Sequence, residues 1–355
     1  MRVAIVGCGF VADDYIKNFA SYPELELVGI ADRDQKQSER CSRYHRVPSY
    51  RSLKDLLKNS EADIVLNLTS PASHFAVTKA CLEAGKHVYS EKPMALEMAE
   101  AEELVRLAEK KGLHLSSAPC SLLGETAQTL WKALRLSKIG RVRLADVKLD
   151  DWSAYRVDSR HIRSDSGARW PYKEKFKVGY IKEHAPYPIS WLAAFFGPAM
   201  SVEGSSSAAA VAFSSGVLAR LTCATSAAPK NSLRLSGDKG AFRVSDIWDY
   251  RAPVVWNPAT NGRAGKGTAI ALLETGEARR IRHPYGNRDG MDFLCGPAEL
   301  AAAIRERRAC RLSARFSLHV NEVVLAIEDV MKNGARRVMR TTFEPVDPMR
   351  LRPAH

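Results

Sequence analysis

The chain has 355 residues, of which 45% are hydrophobic, so it is long enough for two domains with substantial cores and is not composed like a disordered protein. Its first apolar run, residues 3–6, is far too short for a secretory or membrane segment. The seven cysteines are odd in number, widely spaced and without a Cys-x-x-Cys pair. These features indicate a cytoplasmic protein and predict neither a disulfide framework nor a metal site.

The formal charge of +13 is unevenly distributed. Residues 1–120 carry 16 basic and 17 acidic side chains, whereas residues 121–355 carry 37 and 23. An excess of positive charge in the second part predicts an anionic small-molecule substrate, such as a phosphorylated or nucleotide-linked sugar or a carboxylate. The alternative is a basic surface that serves solubility alone. No nucleic-acid-binding motif accompanies the charge, so neither nucleic acid nor a membrane is an expected partner.

The amino terminus has the pattern of a dinucleotide-binding unit. The apolar run 3–6 predicts a buried parallel strand and leads into GCGFVA at 7–12, a G-x-G-x-x-A sequence. A helix over residues 12–22 and a strand over 25–31 follow, and the strand ends at Asp32. A lone glycine pattern is weak evidence, but this strand, helix and acid in the expected order make it strong.

Each part of that pattern has a physical role in binding a dinucleotide. Gly7 permits the tight turn, Gly9 lets the backbone approach the pyrophosphate, and Phe10 and Val11 complete the loop. Asp32 would accept hydrogen bonds from the adenosine ribose, which predicts NAD as the cofactor. The adjacent Arg33 could contact a 2′-phosphate, so NADP remains the alternative.

Strands and helices continue to alternate up to residue 120. Helices are predicted at 53–57, 73–84 and 97–111, and strands at 62–68, 87–89 and 114–118. Ligands of such parallel sheets bind beyond the carboxyl ends of the strands. The residues predicted at that edge, and therefore near the cofactor, are Thr69, Pro71, His74, Glu91 and Lys92. We therefore expect a Rossmann domain over 1–120 and a substrate-binding and oligomerisation domain over 121–355.

The second part contains a long aromatic and basic stretch between a strand at 142–149 and a helix at 183–196. Sugars stack on aromatic rings, and arginines grip phosphate or carboxylate groups. The stretch is thus a predicted substrate loop, with an ordinary surface loop as the alternative. Its candidate binding residues are Trp152, Tyr155, Arg156, Arg163 and Arg169.

Five segments together resemble the glucose–fructose oxidoreductase, inositol dehydrogenase and MocA (Gfo/Idh/MocA) family. They are GCGFVA at 7–12, TSPASH at 69–74, AGKHVYSEKPMA at 84–95, GPAELAAAI at 296–304 and SLHVNEVVLAIEDV at 317–330. The resemblance implies an α/β Rossmann domain followed by an α+β domain with a large, mostly antiparallel sheet. It also implies a homodimer or homotetramer and reversible hydride transfer between nicotinamide and a carbinol carbon of a sugar or cyclitol.

The family usually carries an Asp and a His four residues apart on one helix, and this chain departs from that pattern. Counting back from Gly197 places Glu183 and Tyr187 at the two positions, whereas a second register places His184 at the histidine. Lys92, which the resemblance marks for proton transfer or for polarising the substrate oxygen, is present. Tyr187 and His184 are alternative proton carriers, and Glu183 could orient substrate hydroxyls or hold Lys92.

Two other functions fit the same sequence. The missing Asp/His pair is compatible with a dinucleotide-binding sensor or regulator that performs no chemistry. It is also compatible with a reductase that acts on an imine or an unsaturated ring. Turnover of the cofactor with a substrate distinguishes an enzyme from a sensor.

Overall fold

The computed structural model describes residues 1–150, 161–171, 177–224, 230–260, 263–264, 268–270 and 291–349. The chain forms two compact units, each assembled from three segments. The first contains Met1–Cys120, Asp158–Glu183 and Asp292–Asn321, so the chain returns to this unit twice after residue 120. The second contains Ser121–Val157, His184–Met291 and Glu322–His355.

A parallel sheet lies at the centre of the first unit. Within the described residues it has six strands: β1 (Arg2–Val6), β2 (Glu26–Ala31), β3 (Ser49–Tyr50), β4 (Ile64–Asn67), β5 (His87–Ser90) and β6 (Leu115–Ser117). Their spatial order, β3-β2-β1-β4-β5-β6, is that of a dinucleotide-binding Rossmann sheet. The order reverses between β1 and β4, which opens a crevice at their carboxyl ends. The predicted Rossmann fold is confirmed.

The helices of this sheet are α1 (Phe10–Ile16), α2 (Gln35–His45), α3 (Leu53–Asn59), α4 (His74–Glu83) and α5 (Met98–Lys111). The first ends earlier than predicted, since the Asn18 side chain donates to the main-chain oxygen of Asp14, 3.1 Å away, and a 3-10 turn follows at Phe19–Ser21. The second was not predicted because its sequence is almost entirely polar. It begins where the Asp34 carboxylate accepts from the Lys36 N–H, at 3.0 Å.

The core of the first unit packs the sheet against helices on its faces. Ala4, Val65 and Val88, from three neighbouring strands, are fully buried with Leu104 of α5. Leu318, from the last segment of the unit, joins the same cluster. Burial of each large apolar side chain contributes about 1.5–3 kcal/mol, so this cluster holds the strand ends in fixed positions.

The second unit contains a large, mostly antiparallel sheet, as predicted. Among the described residues it has ten strands: β7 (Val142–Asp150), β8 (Ala199–Ser205), β9 (Ala208–Phe213), β10 (Leu218–Ala224), β11 (Lys230–Gly237), β12 (Gly240–Val244), β13 (Val254–Thr260), β14 (Arg263–Ala264), β15 (Thr268–Ile270) and β16 (Arg337–Val338). Ala145, Val147 and Leu149 of β7 alternate with more exposed residues, which is the pattern of a sheet with one buried face. Two helices of this unit are α6 (Glu125–Arg135) and α8 (Pro186–Phe196). Of the other helices among the described residues, α9 (Cys295–Arg305) belongs to the first unit, and α7 (Tyr180–His184) and α10 (Ala314–Asn333) each contain residues of both units.

Candidate active site and dinucleotide site

The glycine loop after β1 has the conformation that the sequence predicts. Gly7 has a φ of +101°, and a Cβ at this position would lie 2.6 Å from the main chain of Leu68. A larger residue is therefore excluded both by backbone conformation and by packing. Around Gly9, by contrast, no described atom lies within 4 Å of the place that a Cβ would take. The main chain at Gly9 is thus open to a close-lying ligand, while Phe10 and Val11 follow in the first turn of α1.

Asp32 lies at the end of β2 with its side chain fixed by the backbone. Its Oδ2 accepts from the Cys8 N–H at 2.7 Å, and its Oδ1 accepts from the Asp34 N–H at 2.8 Å. Each carboxylate oxygen can accept more than one hydrogen bond, so these contacts are compatible with additional hydroxyl donors. The neighbouring Arg33 is exposed.

His74 joins the loops that follow β4 and β5. Its ring is 1% exposed, with Nδ1 2.7 Å from the main-chain oxygen of Pro93 and Nε2 3.0 Å from that of Thr69. Burial lowers the pKa of His74, against the opposing effect of these two carbonyl contacts. The side chain therefore positions the two loops, and Pro71 lies in the short 3-10 turn between Thr69 and α4.

Glu91 is held on both of its carboxylate oxygens. The Tyr15 hydroxyl donates to Oε1 at 2.7 Å, and the Lys92 main-chain N–H donates to Oε2 at 3.1 Å. The peptide bond between Lys92 and Pro93 is cis. The two hydrogen bonds of Glu91 hold the turn after β5 in which Lys92 lies.

Lys92 and Glu183 form a nearly buried ion pair within the first unit. The Lys92 ammonium lies 2.7 Å from Glu183 Oε2 and also donates to the Glu183 main-chain oxygen at 3.0 Å. The two side chains are 9% and 20% exposed. Separating two charges that are this deeply buried would leave each of them without compensation, which is energetically costly. The ammonium is therefore held firmly in one place.

The alternative proton carriers, His184 and Tyr187, lie in the second unit with an aromatic residue that sequence reasoning missed. The Trp248 ring stacks on His184, with centroids 4.9 Å apart and planes at 20°, and lies 5.9 Å from the Tyr187 ring. His184 ends α7, whereas Tyr187 is in the first turn of α8, which begins at Pro186. Trp248 is distant in sequence from both, and no local motif marks it.

Arg163 and Arg169, which were predicted to bind substrate, are joined by a main-chain antiparallel β-bridge in a hairpin of the first unit. The hairpin is anchored on α1, since the Ser166 N–H and Oγ donate to Asp13 Oδ2 at 3.0 and 2.8 Å. Trp170 also meets the Phe10 ring edge-on, with centroids 4.6 Å apart. The structure thus places the hairpin that carries these arginines against α1, the helix that follows the glycine loop. Trp152, Tyr155 and Arg156 lie outside the described residues.

Comparison with known proteins confirms the family resemblance of the first domain. Residues 1–118 match the profile of the Gfo/Idh/MocA proteins, described as an oxidoreductase family with an NAD-binding Rossmann fold. This part of the chain is therefore a Rossmann domain of the Gfo/Idh/MocA type. It is a nicotinamide-dependent oxidoreductase fold that binds NAD, and the loop around Gly7 and Gly9 fits that cofactor because the main chain there is open to a ligand.

Similarity to other proteins extends over nearly the whole chain. A mouse protein, trans-1,2-dihydrobenzene-1,2-diol dehydrogenase, is 26% identical over an alignment of 359 positions that covers 97% of this chain and 98% of the relative. The WlbA dehydrogenase from Bordetella pertussis, solved with NADH and UDP-GlcNAcA, has a TM-score of 0.75 at 19% identity and covers 96% of this chain and 98% of its own. An oxidoreductase from Agrobacterium radiobacter, solved with NAD+, L-tartaric acid and magnesium, has the same TM-score at 15% identity, with coverages of 95% and 98%.

In the part of the chain that the structure describes, every helix is too short or too polar to span a membrane.

Proposed function

We propose that this protein transfers hydride between nicotinamide and a carbinol carbon of a sugar, a cyclitol, or a phosphorylated or nucleotide-linked sugar. The observation that carries the proposal is the Lys92–Glu183 ion pair at the carboxyl edge of the Rossmann sheet. A nearly buried ammonium held in place by a carboxylate is a suitable group for binding and polarising an oxygen atom. The mouse relative, whose name is that of a cyclic diol dehydrogenase, supports a carbinol substrate.

The proposed chemistry divides between the cofactor and the side chains. NAD, when bound by the loop at Gly7 and Gly9, supplies or accepts the hydride. Lys92 donates a hydrogen bond to the oxygen on the reacting carbon, and Glu183 keeps the ammonium in position. Tyr187 or His184 exchanges the hydroxyl proton, which must leave as an alcohol is oxidised and return as a carbonyl is reduced.

The remaining proposed ligand contacts follow from the same reasoning. Glu91, Thr69 and Pro71 shape the loops beside the cofactor, and Asp32 accepts from its ribose. Arg163 and Arg169 are proposed to attract the anionic part of the substrate or of the cofactor, because guanidinium groups bind phosphate and carboxylate with paired hydrogen bonds. We further propose that the protein acts as a homodimer or homotetramer.

Replacement of Lys92 tests the central residue of this proposal. Lys92→Ala is expected to lower turnover at least about 10²-fold, the usual scale of general acid–base catalysis, and to leave the dissociation constant of NAD nearly unchanged. The substrate comes from a screen of sugars, cyclitols, sugar phosphates and nucleotide sugars that follows the absorbance of reduced nicotinamide. Lys79→Ala is the matched control, since Lys79 pairs with Glu103 on the surface of the same unit. Retained activity in Lys92→Ala contradicts the mechanism, and an absence of turnover across the screen favours a sensor.

A second pair of variants decides which residue carries the proton. Tyr187→Phe removes only a hydroxyl and keeps the ring against Trp248, so packing is preserved. We expect this variant to lose turnover by about 10² or more. His184→Gln, prepared in parallel, is expected to retain more activity. The opposite ranking assigns the proton to His184 and shows that the second register is correct.

A further inference from the structure

A cluster of four metal-ligating side chains lies behind the glycine loop, apart from the residues proposed for catalysis. The ligand atoms of Asp13, Cys41 and His45 all lie within 4.8 Å of one another. Cys41 and His45 are four residues apart on α2 and therefore share one face of that helix. The Cys8 thiol, between the two glycines of the loop, contacts the Cys41 thiol through a hydrogen bond.

We propose that Asp13, Cys41, His45 and Cys8 form a structural zinc site that ties the glycine loop to α1 and α2. Two thiols, an imidazole and a carboxylate are ligand types that tetrahedral Zn²⁺ takes in proteins. All four side chains are buried or nearly so: Cys8 and Cys41 are 0% and 1% exposed, and the side chains of Asp13 and His45 are 3% and 10% exposed. A closed, fully protein-ligated site is the arrangement of structural rather than catalytic zinc.

The positions of the donors require only a small adjustment to hold the ion. Ligand atoms around one tetrahedral Zn²⁺ lie roughly 3.3–3.8 Å apart, given bond lengths of about 2.0–2.3 Å. His45 Nε2 and Asp13 Oδ1 are now 2.5 Å apart and share a proton that a metal ion would replace. These two atoms must separate by about 0.8 Å, while the Cys41 thiol, which lies within 4.8 Å of both, moves inward by up to about 1.3 Å.

Two further observations point to a ligand in this cluster. The Oδ2 atom of Asp13 accepts hydrogen bonds from the Ser166 N–H and Oγ. These bonds leave Oδ1 facing His45. Metal-binding carboxylates are commonly oriented by hydrogen bonds of this kind. The positive charge of Arg40 acts on the Cys8 thiol by lowering its pKa, and the Nε and Nη2 atoms of Arg40 are buried without a hydrogen-bond partner among the described residues.

The two buried Arg40 nitrogens without a hydrogen-bond partner among the described residues are the observation that favours a bound metal ion over a purely structural polar cluster. Zinc with two thiolates and one carboxylate carries a net charge of −1, which the Arg40 cation would neutralise. Its N–H groups would donate to the metal-bound thiolates. Without an anionic partner, buried guanidinium nitrogens carry a large desolvation cost.

Zinc titration of the full-length protein tests the site directly. The chelator-treated chain is titrated with Zn²⁺ in competition with a chromophoric chelator, and one tight equivalent per chain is expected. Cys41→Ser and His45→Gln should each weaken that affinity at least about 100-fold, and Arg40→Gln, which removes an outer-shell donor, about tenfold. Cys223→Ser and His161→Gln, which alter a thiol and an imidazole elsewhere, should leave it unchanged.

Cobalt provides a readout of the ligands themselves. Co²⁺ bound at this site should show thiolate-to-metal charge-transfer absorption in the near ultraviolet, and this absorption should weaken in Cys8→Ser and Cys41→Ser. His45→Gln keeps both thiols and a similar side-chain volume, so it remains informative if a cysteine variant does not fold. Absence of a tight equivalent, or equal zinc affinity in His45→Gln and the wild-type chain, overturns the proposal. Neither result depends on enzymatic turnover.

Discussion

One carboxylate, that of Asp32, is the residue with most influence on which dinucleotide the loop accepts. Both of its oxygens are fixed by main-chain N–H groups, of Cys8 and Asp34. A fixed carboxylate attracts the donor hydroxyls of an adenosine ribose but repels the 2′-phosphate of NADP. Arg33 is exposed beside it and has the opposite preference.

We therefore expect the chain to bind NAD more tightly than NADP. Asp32→Asn removes the charge while keeping the shape of the side chain, and should shift the ratio of the two dissociation constants toward NADP by about tenfold, equivalent to about 1.4 kcal/mol. Titration calorimetry or quenching of intrinsic fluorescence measures both constants. Arg33→Ala is the comparison variant, expected to shift the ratio toward NAD. Tighter NADP binding by the wild-type chain would show that Arg33 governs the site.

Residues within one short motif could be predicted from the sequence, whereas residues brought together by the fold could not. Gly7, Gly9 and Asp32 have roles that follow from local spacing in one βαβ unit. The partner of Lys92 lies 91 residues away, and Trp248 lies 64 residues from His184, on which it stacks. The cluster of Asp13, Cys41 and His45 was missed for the same reason, although the four-residue spacing on α2 was a usable signal.

At the scale of elements, the two loops that face the cofactor crevice are linked through one buried ring. His74, at the start of α4, contacts the main chain of Thr69 after β4 and of Pro93 after β5. A neutral imidazole has one N–H, so it can donate to only one of these two carbonyls. Burial is the stronger influence on its titration and favours the neutral ring.

This geometry predicts a loss of stability in mild acid. The pKa of His74 in the folded chain lies below its ordinary value of 6.5, so the unfolded chain binds more protons as the pH falls. The contribution of neutral His74 to the free energy of unfolding is therefore complete above about pH 6.5 and is lost as the pH falls through the pKa of the folded chain. The loss is about 1.4 kcal/mol for each pH unit that separates the folded pKa from the unfolded one.

Melting temperatures at several pH values test this prediction. Between pH 7.5 and pH 5.5 the wild-type melting temperature should fall, and in His74→Gln the fall should be smaller from an already lower starting value. His161→Gln, which alters an exposed histidine, is expected to reproduce the wild-type slope. An unchanged slope in His74→Gln would mean that other groups control the acid sensitivity, such as His87 and His114, whose pKa values burial also lowers.

At the scale of the whole molecule, the alternation of apolar runs was sufficient to predict the parallel sheet, whereas the antiparallel sheet was expected only from the family resemblance. Neither predicted the path of the chain. The strands of the first unit lie in the order β3-β2-β1-β4-β5-β6, and the rules for connections between parallel strands restrict such a sheet to few topologies. The returns of Asp158–Glu183 and Asp292–Asn321 to the first unit depend on contacts between distant segments, and no local pattern encodes them. The polar helix α2 was missed because its sequence gives no apolar stripe.

Net charge is a property of the whole chain that leads to the last prediction. The excess of basic residues after residue 120, 37 against 23 acidic ones, is proposed to attract an anionic substrate. Attraction between exposed charges weakens as salt shortens the Debye length to about 10 Å at 0.1 M. With the best substrate of the screen, kcat/KM should therefore fall as KCl rises from about 0.01 to 0.3 M, mainly through KM.

The cofactor is itself anionic, so the series must be run at saturating NAD, with its dissociation constant measured separately at each salt concentration. An uncharged substrate analogue serves as the control and should show a flat response. A salt-independent kcat/KM, or a neutral free sugar as the best substrate, would assign the basic surface to solubility alone.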